Sequence, residues 1–209
     1  MKNPRTALTG KKRIPVIFAF VLLAGLVIAS FTLDFGLVRS ESAANSQVST
    51  FSVMNPQVDL SGTVYLYVEG NDPVSKALEA ELTQDLRGIA AEVKLSAILH
   101  EQFDGPVIAV FMIREDPFYT PVYATATADM LYCFSSIGST RYFIDFYRAE
   151  FGVPEPAVIF DSSDGPQLLE KGRVSVTISL RGLFSWPASK RYLAEPFSRE
   201  IVTQLSSLP

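Results

Sequence analysis

Residues 63–89 read TVYLYVEGNDPVSKALEAELTQDLRGI, and the change of hydrophobic period inside them sets the fold class. Over 63–69, Val64, Leu66 and Val68 alternate with Tyr65, Tyr67 and Glu69. That two-residue period is the mark of a strand whose two faces differ. Asn71-Asp72-Pro73 then supplies a helix start, with Asp72 suited to the N-cap and Pro73 to the first helical position. Beyond it Val74, Leu78, Leu82, Leu86 and Ile89 recur at steps of three and four, while Glu79, Glu81, Gln84, Asp85 and Arg87 lie mostly off that stripe. Gly88 is placed near the C-terminal cap. A half-buried strand followed at once by an amphipathic helix calls for layers of sheet and helix around one core.

Downstream, 92–100 alternates again: Val93, Leu95, Ala97 and Leu99 on one face, Glu92, Lys94, Ser96 and His100 on the other. The continuous apolar run 107–113 predicts a central strand buried on both faces. Residues 114–117 end it and 118–119 fall in a loop. The stretch 120–136 reads as one long strand or two joined ones, with Asp129 as the break or bulge. The aromatics of 140–151 fit a helical face about as well as a strand. A short strand over 157–160, a turn over 161–165 and a clear alternation over 173–184 follow. The chain closes with a second amphipathic helix from Ser189 or Glu195 to Ser207, in which Pro196 marks a start or a kink. Hairpin-length connections between the middle strands predict a mainly antiparallel sheet with two helices on one face. The class is α+β, a two-layer sandwich occupying 62–209, preceded by a transmembrane helix.

Upstream, residues 34–61 are rich in Ser, Asn, Gln and Thr and read as a linker, solvated over roughly 39–50. Before it, residues 14–33 carry no charge and are almost wholly apolar. A helix of that length spans roughly 30 Å, the thickness of a bilayer's hydrocarbon core. Lys2, Arg5, Lys11, Lys12 and Arg13 precede this run with no acidic residue among them, which keeps 1–13 as a cytoplasmic basic tail and exports the C-terminal bulk. The competing reading is a cleaved signal peptide, but its apolar core is normally about 7–15 residues long. The small pair Ser42 and Ala44, which resembles a cleavage site, lies well past the run. Retention at the cell membrane as a single-pass anchor is therefore expected. Gly25 and Ala29 form a small-xxx-small pair, a weak pointer to a homodimer through the anchor.

Five of the 18 basic residues and none of the 22 acidic ones precede the anchor, so the exported part carries a net charge of about −9. Such a domain is a poor partner for nucleic acid, which needs clustered Lys and Arg. Cys133 has no second cysteine to pair with and sits among apolar residues, as a structural thiol does. His100 is the single histidine, which excludes two-imidazole metal sites, and no G-x-S-x-G or phosphate-binding glycine loop occurs. Residues 161–165 resemble a calcium loop only superficially, because the ligand spacing fails. No metal, cofactor or catalytic residue is expected.

Glu115, Asp116, Asp129, Asp145 and Asp161 are the carboxylates left for paired acid–base work. The aromatic density over 118–151 marks the candidate interaction surface: Phe118, Tyr119 and Tyr123 with Arg141 and Arg148. The expected function is a non-enzymatic, membrane-anchored extracytoplasmic module that binds another envelope protein through these residues or an exposed sheet edge. A small-molecule or lipid binder with a cavity between sheet and helices is the alternative, and a carboxylate-dependent exported hydrolase ranks last.

Overall fold

The computed structural model describes residues 13–160 and 165–208, with side chains from Ile17 onward. Helix α1, Arg13–Thr32, leads into strand β1, Gly36–Val53. Strand β2, Thr63–Val68, helix α2, Pro73–Leu86, and strand β3, Glu92–Leu95, follow. Strands β4, Val107–Thr120, and β5, Tyr123–Ser135, lead to helix α3, Phe143–Ala149. Strand β6, Gln167–Phe184, and helix α4, Trp186–Ser206, complete the chain. The fold is α+β, a six-stranded mixed sheet in the order β1-β6-β5-β4-β2-β3 with four helices among the described residues.

Strand β2 pairs in parallel with both β3 and β4, whereas β4, β5, β6 and β1 form an antiparallel meander with β1 at its edge. The expected hairpin between 92–99 and 107–113 is thus replaced by two strands flanking β2. The reason lies in burial. Residues 107–111 are buried on both faces and take the central place, while β3 pairs for only four residues and leaves Leu95 exposed at the sheet edge.

The face formed by Val64, Leu66, Ile108, Val110, Met130, Val174, Val176 and Ile178 packs against α2 and α4. Asp72 caps α2 as its sequence position predicts, accepting from the Val74 and Ser75 amides at 2.8 and 3.1 Å. Helix α4 starts earlier than its periodicity suggested, because Ser185 caps it by accepting from the Ala188 amide at 3.2 Å. Pro196 therefore lies inside the helix. Losing one helical hydrogen bond there is offset by burying Leu193, Ala194, Phe197 and Ile201 on the sheet.

Two helices do share one face, but the sheet is not bare on the other. There Val107, Ala109, Phe111, Leu131, Cys133 and Leu169 make a smaller core with Phe143 and Phe146 of α3. The segment 157–160 is not a strand. It crosses this face without regular secondary structure, with Val158 and Phe160 packed on the smaller core. Asp129 is neither a break nor a bulge in β5, which runs unbroken; the irregularity lies in the partner strand, where the β4 register shifts between Met112 and Arg114.

The largest correction concerns 34–61. Most of that segment is β1, 18 residues paired antiparallel with β6 from Gly36–Phe184 to Val53–Gln167. Its polar composition hid the strand, because only one side of its backbone is paired and most of its side chains meet solvent. Among the described residues, no helix is long and apolar enough to cross a membrane.

Candidate functional site at the α1 end of the sheet

The long strands β1, β4, β5 and β6 converge at the end of the sheet where α1 arrives. Phe35 and Ser185 hold each other there: the Ser185 amide donates to the Phe35 carbonyl at 2.9 Å, and the Phe35 amide to Ser185 Oγ at 3.1 Å. The β4–β5 turn joins them, with Gly182 N donating to the Val122 carbonyl and Phe184 N to the Pro121 carbonyl, both at 3.1 Å. Gly182 sits at φ +137°, and a Cβ on it would come within 2.2 Å of the Leu37 carbonyl oxygen. Only glycine permits this approach of β6 to β1.

Tyr119 occupies the centre of the junction. Its hydroxyl lies 3.0 Å from the Phe184 carbonyl and 3.2 Å from that of Ser30 in α1, and shares its proton between them. Its ring meets Phe31, Phe184 and Trp186 edge-on, with centroids 5.6, 5.7 and 5.1 Å away. Partial burial pushes its phenol pKa up. Lys190 reaches back over the Trp186 ring, 4.1 Å from its centroid, and pairs with Glu115. Arg191 pairs with Asp34 at 2.7 Å. The end of α1 is thereby tied to the domain.

Phe118 and Tyr119 are not in a loop; both belong to β4, and strand alternation sends them to opposite faces. Phe118 pairs with Thr125 and lies beside Tyr123, their rings 6.2 Å apart. These two are exposed on the face that carries α3, beyond the part that α3 covers. Arg141 and Arg148 sit at the other end of the sheet, Arg141 over the Tyr142 ring at 5.4 Å and Arg148 beside Asp145 at 3.5 Å. The five predicted residues therefore form no single surface: Phe118 and Tyr123 meet, Tyr119 backs them from the core, and the arginines are remote.

Two features were missed from sequence. One is the edge strand β1, whose outer side pairs with no strand among the described residues. Its middle, Ser42 to Thr50, carries no charge and no proline. The other is a polar core device: the Tyr132 hydroxyl donates to Glu170 at 2.7 Å and Thr50 to its second oxygen at 3.1 Å. Burial raises the Glu170 pKa, and these two donors offset only part of that rise. Gly172 leaves room for the Tyr132 ring, which a Cβ would meet at 2.1 Å.

Among the described residues, the carboxylates considered for acid–base work meet basic partners rather than one another. Glu115 pairs with Lys190 and Asp116 with Arg114, 3.8 Å away. Asp145 meets Arg148, and Asp129 accepts from Ser175 and Arg173. Burial works to raise the Asp129 pKa, but those hydrogen bonds and the arginine charge hold it below the usual range. Asp161 and most of the calcium-like segment lie outside the described residues. Among the described residues no cluster of three His, Cys, Asp or Glu is placed to hold a metal. Cys133 is fully buried, and desolvation pushes its thiol pKa far up, the opposite of an activated thiolate. A cavity between the sheet and α4, beneath Tyr119 and Trp186, measures about 10 Å³, room for one water at most. Wider clefts of about 450 and 570 Å³ flank the 99–104 loop, but they are open to solvent and lined in good part by polar residues such as His100, Gln102, Glu101 and Arg141.

No family model and no curated protein matches the chain. Among solved structures it is similar to a PelC dodecamer from Paraburkholderia phytofirmans, at 13% identity and a TM-score of 0.32, over 71% of this chain and 94% of that one. It is also similar to a minor lipoprotein from Acinetobacter baumannii, at 14% identity and a TM-score of 0.28, over 74% and 97%. Likenesses this weak carry no argument about partner or activity.

Proposed function

We propose that the protein is a single-pass, membrane-anchored extracytoplasmic module, its N-terminus cytoplasmic, that binds another envelope protein by strand addition and catalyses no reaction. The observation that carries the binding reading is β1, an 18-residue edge strand with one paired side. A long, uncharged edge is a template for a further strand, and proteins that do not use such an edge normally block it with charge, proline or a bulge. Between Ser42 and Thr50, β1 has no charged or proline block of that kind.

The anchor reading is supported by the charge-free run 14–33 behind its basic tail. The apolar side chains of Ile17, Phe18, Phe20, Val21, Leu22, Leu23 and Ile28 are left exposed along α1, which is costly in water and favourable in lipid. Retention is supported by position as well. Cleavage near Ser42 and Ala44 would cut through the middle of β1 and remove its pairing from Gly36 onward. A Cβ on Gly25 would meet nothing within 4 Å, so that side of α1 stays free for a second anchor helix.

The test is a charge block on β1. In the full chain in its own membrane, a photo-crosslinking residue at Gln47 should attach one dominant protein, and Ala43→Lys with Asn45→Lys should abolish that adduct. Both positions are exposed, so thermal stability should stay within about 0.5 kcal/mol of the parent. An adduct that survives both lysines would sink the strand-addition reading.

A further inference from the structure

We infer that the α1 end of the sheet is a lipid-contacting foot, resting in the outward leaflet of the membrane that holds the chain. The inference rests on the reading of 14–33 as a retained anchor. Val38 and Phe184 turn into the main core, so their neighbours Leu37, Arg39 and Leu183 face the opposite side of the sheet. Leu37 and Leu183 are cross-strand partners, 80% and 40% exposed, and Val122 at the β4–β5 turn is 61% exposed. These three apolar residues make the outermost row of the sheet, next to the Phe35–Ser185 junction where α1 arrives.

One step further from α1 the row changes character. Arg39 is the partner of Arg181, which is in turn the partner of Tyr123, with Phe118 beside it. Two arginines directly opposite each other repel, and Glu41 sits 3.7 Å from Arg39 in an exposed, screened ion pair. Asp34 and Glu115 are already paired with Arg191 and Lys190. An anion spanning Arg39 and Arg181 relieves that repulsion, and a phosphodiester headgroup offers one at the right depth. Apolar residues nearest the bilayer, then arginine and tyrosine, is the order of acyl chain and headgroup read from the inside out. Tyr119 and Trp186 extend this aromatic level around to α1 itself. The junction holds the foot at a set height, because Phe35, Ser185 and Tyr119 leave α1 little freedom to swing away from the sheet.

The experiment uses the full chain in lipid nanodiscs of phosphatidylglycerol and phosphatidylcholine. An environment-sensitive fluorophore is attached through Val122→Cys or Phe118→Cys, with Asp104→Cys at the far end of the sheet as reference; Cys133 is fully buried and does not compete. Interfacial quencher lipids should quench the first two labels several-fold more than the third. Arg39→Gln with Arg181→Gln should lower that quenching several-fold without changing the unfolding temperature. Retention in the discs with all three labels equally hydrated overturns the foot and leaves the anchor standing. Failure of the chain to enter the discs overturns the anchor and the foot together. Quenching that the two glutamines leave unchanged overturns the arginine–phosphate contact.

Discussion

Glu170 shows how one buried acid can set the pH response of a whole domain. Its folded-state pKa is raised, so its contribution is intact below the ordinary carboxylate range and is lost as pH climbs through the raised value. Glu170→Gln removes the charge, keeps one oxygen as acceptor and sets an amide NH2 against the other hydroxyl, which can turn to accept from it. Above the ordinary carboxylate range the substitution should flatten the fall in stability, so that the variant's melting temperature gains on the parent's as pH climbs. Parallel pH profiles for parent and variant in thermal unfolding would refute the assignment. Tyr119 and Phe118, adjacent in sequence, should respond differently to truncation. Tyr119→Phe removes the shared proton between two carbonyls and should cost about 1 kcal/mol, and Tyr119→Ala about 3 kcal/mol. Phe118→Ala, at an exposed ring, should stay within about 0.5 kcal/mol. Denaturant unfolding of the three variants decides the matter. Nothing in the two residue types foretells this difference; their strand parity does.

At the scale of elements, α2 was legible down to its cap, and Asp72→Ala should cost about 1 kcal/mol because two amides and the Ser75 hydroxyl lose their acceptor. Urea unfolding measures it. The start of α4 was not legible, since the capping Ser185 precedes a Trp-Pro pair that reads as a strand terminus. Strand β1 was missed for a different reason. Periodicity detects a strand by the face it buries, and β1 is held chiefly by the backbone of β6. Gly182 is the point where that pairing is tightest. Gly182→Ala places a methyl against the Leu37 carbonyl and should destabilise by about 2 kcal/mol or more, with amide exchange fastest in the 36–40 segment. Uniform exchange along β1 in that variant would show that the contact is not what holds the strand's start.

For the whole molecule, the strands differ in length in a way that matters. β1, β4, β5 and β6 run on past β2 and β3 toward α1, and the covered part of the outer face, under α3, lies at the opposite end. The molecule thus presents two ends of unlike chemistry: a helix-covered end bearing Arg141 and Arg148, and a bare end bearing Phe118, Tyr123, Leu37 and Leu183. The net acidity of the domain does not describe this end, where Arg39 and Arg181 stand side by side.

From sequence alone came the class, the β2–α2 unit, the buried central strand, and the chemistry that one histidine and one cysteine leave out. Those rest on local signals: side-chain period, caps, and residue inventory. The tertiary structure alone decided that β2 parts β3 from β4, that a polar stretch completes the sheet as its edge, and that the predicted aromatics divide between core and surface. Each of these depends on which backbone lies beside which, and hydrogen bonding between strands leaves no mark in the order of side chains.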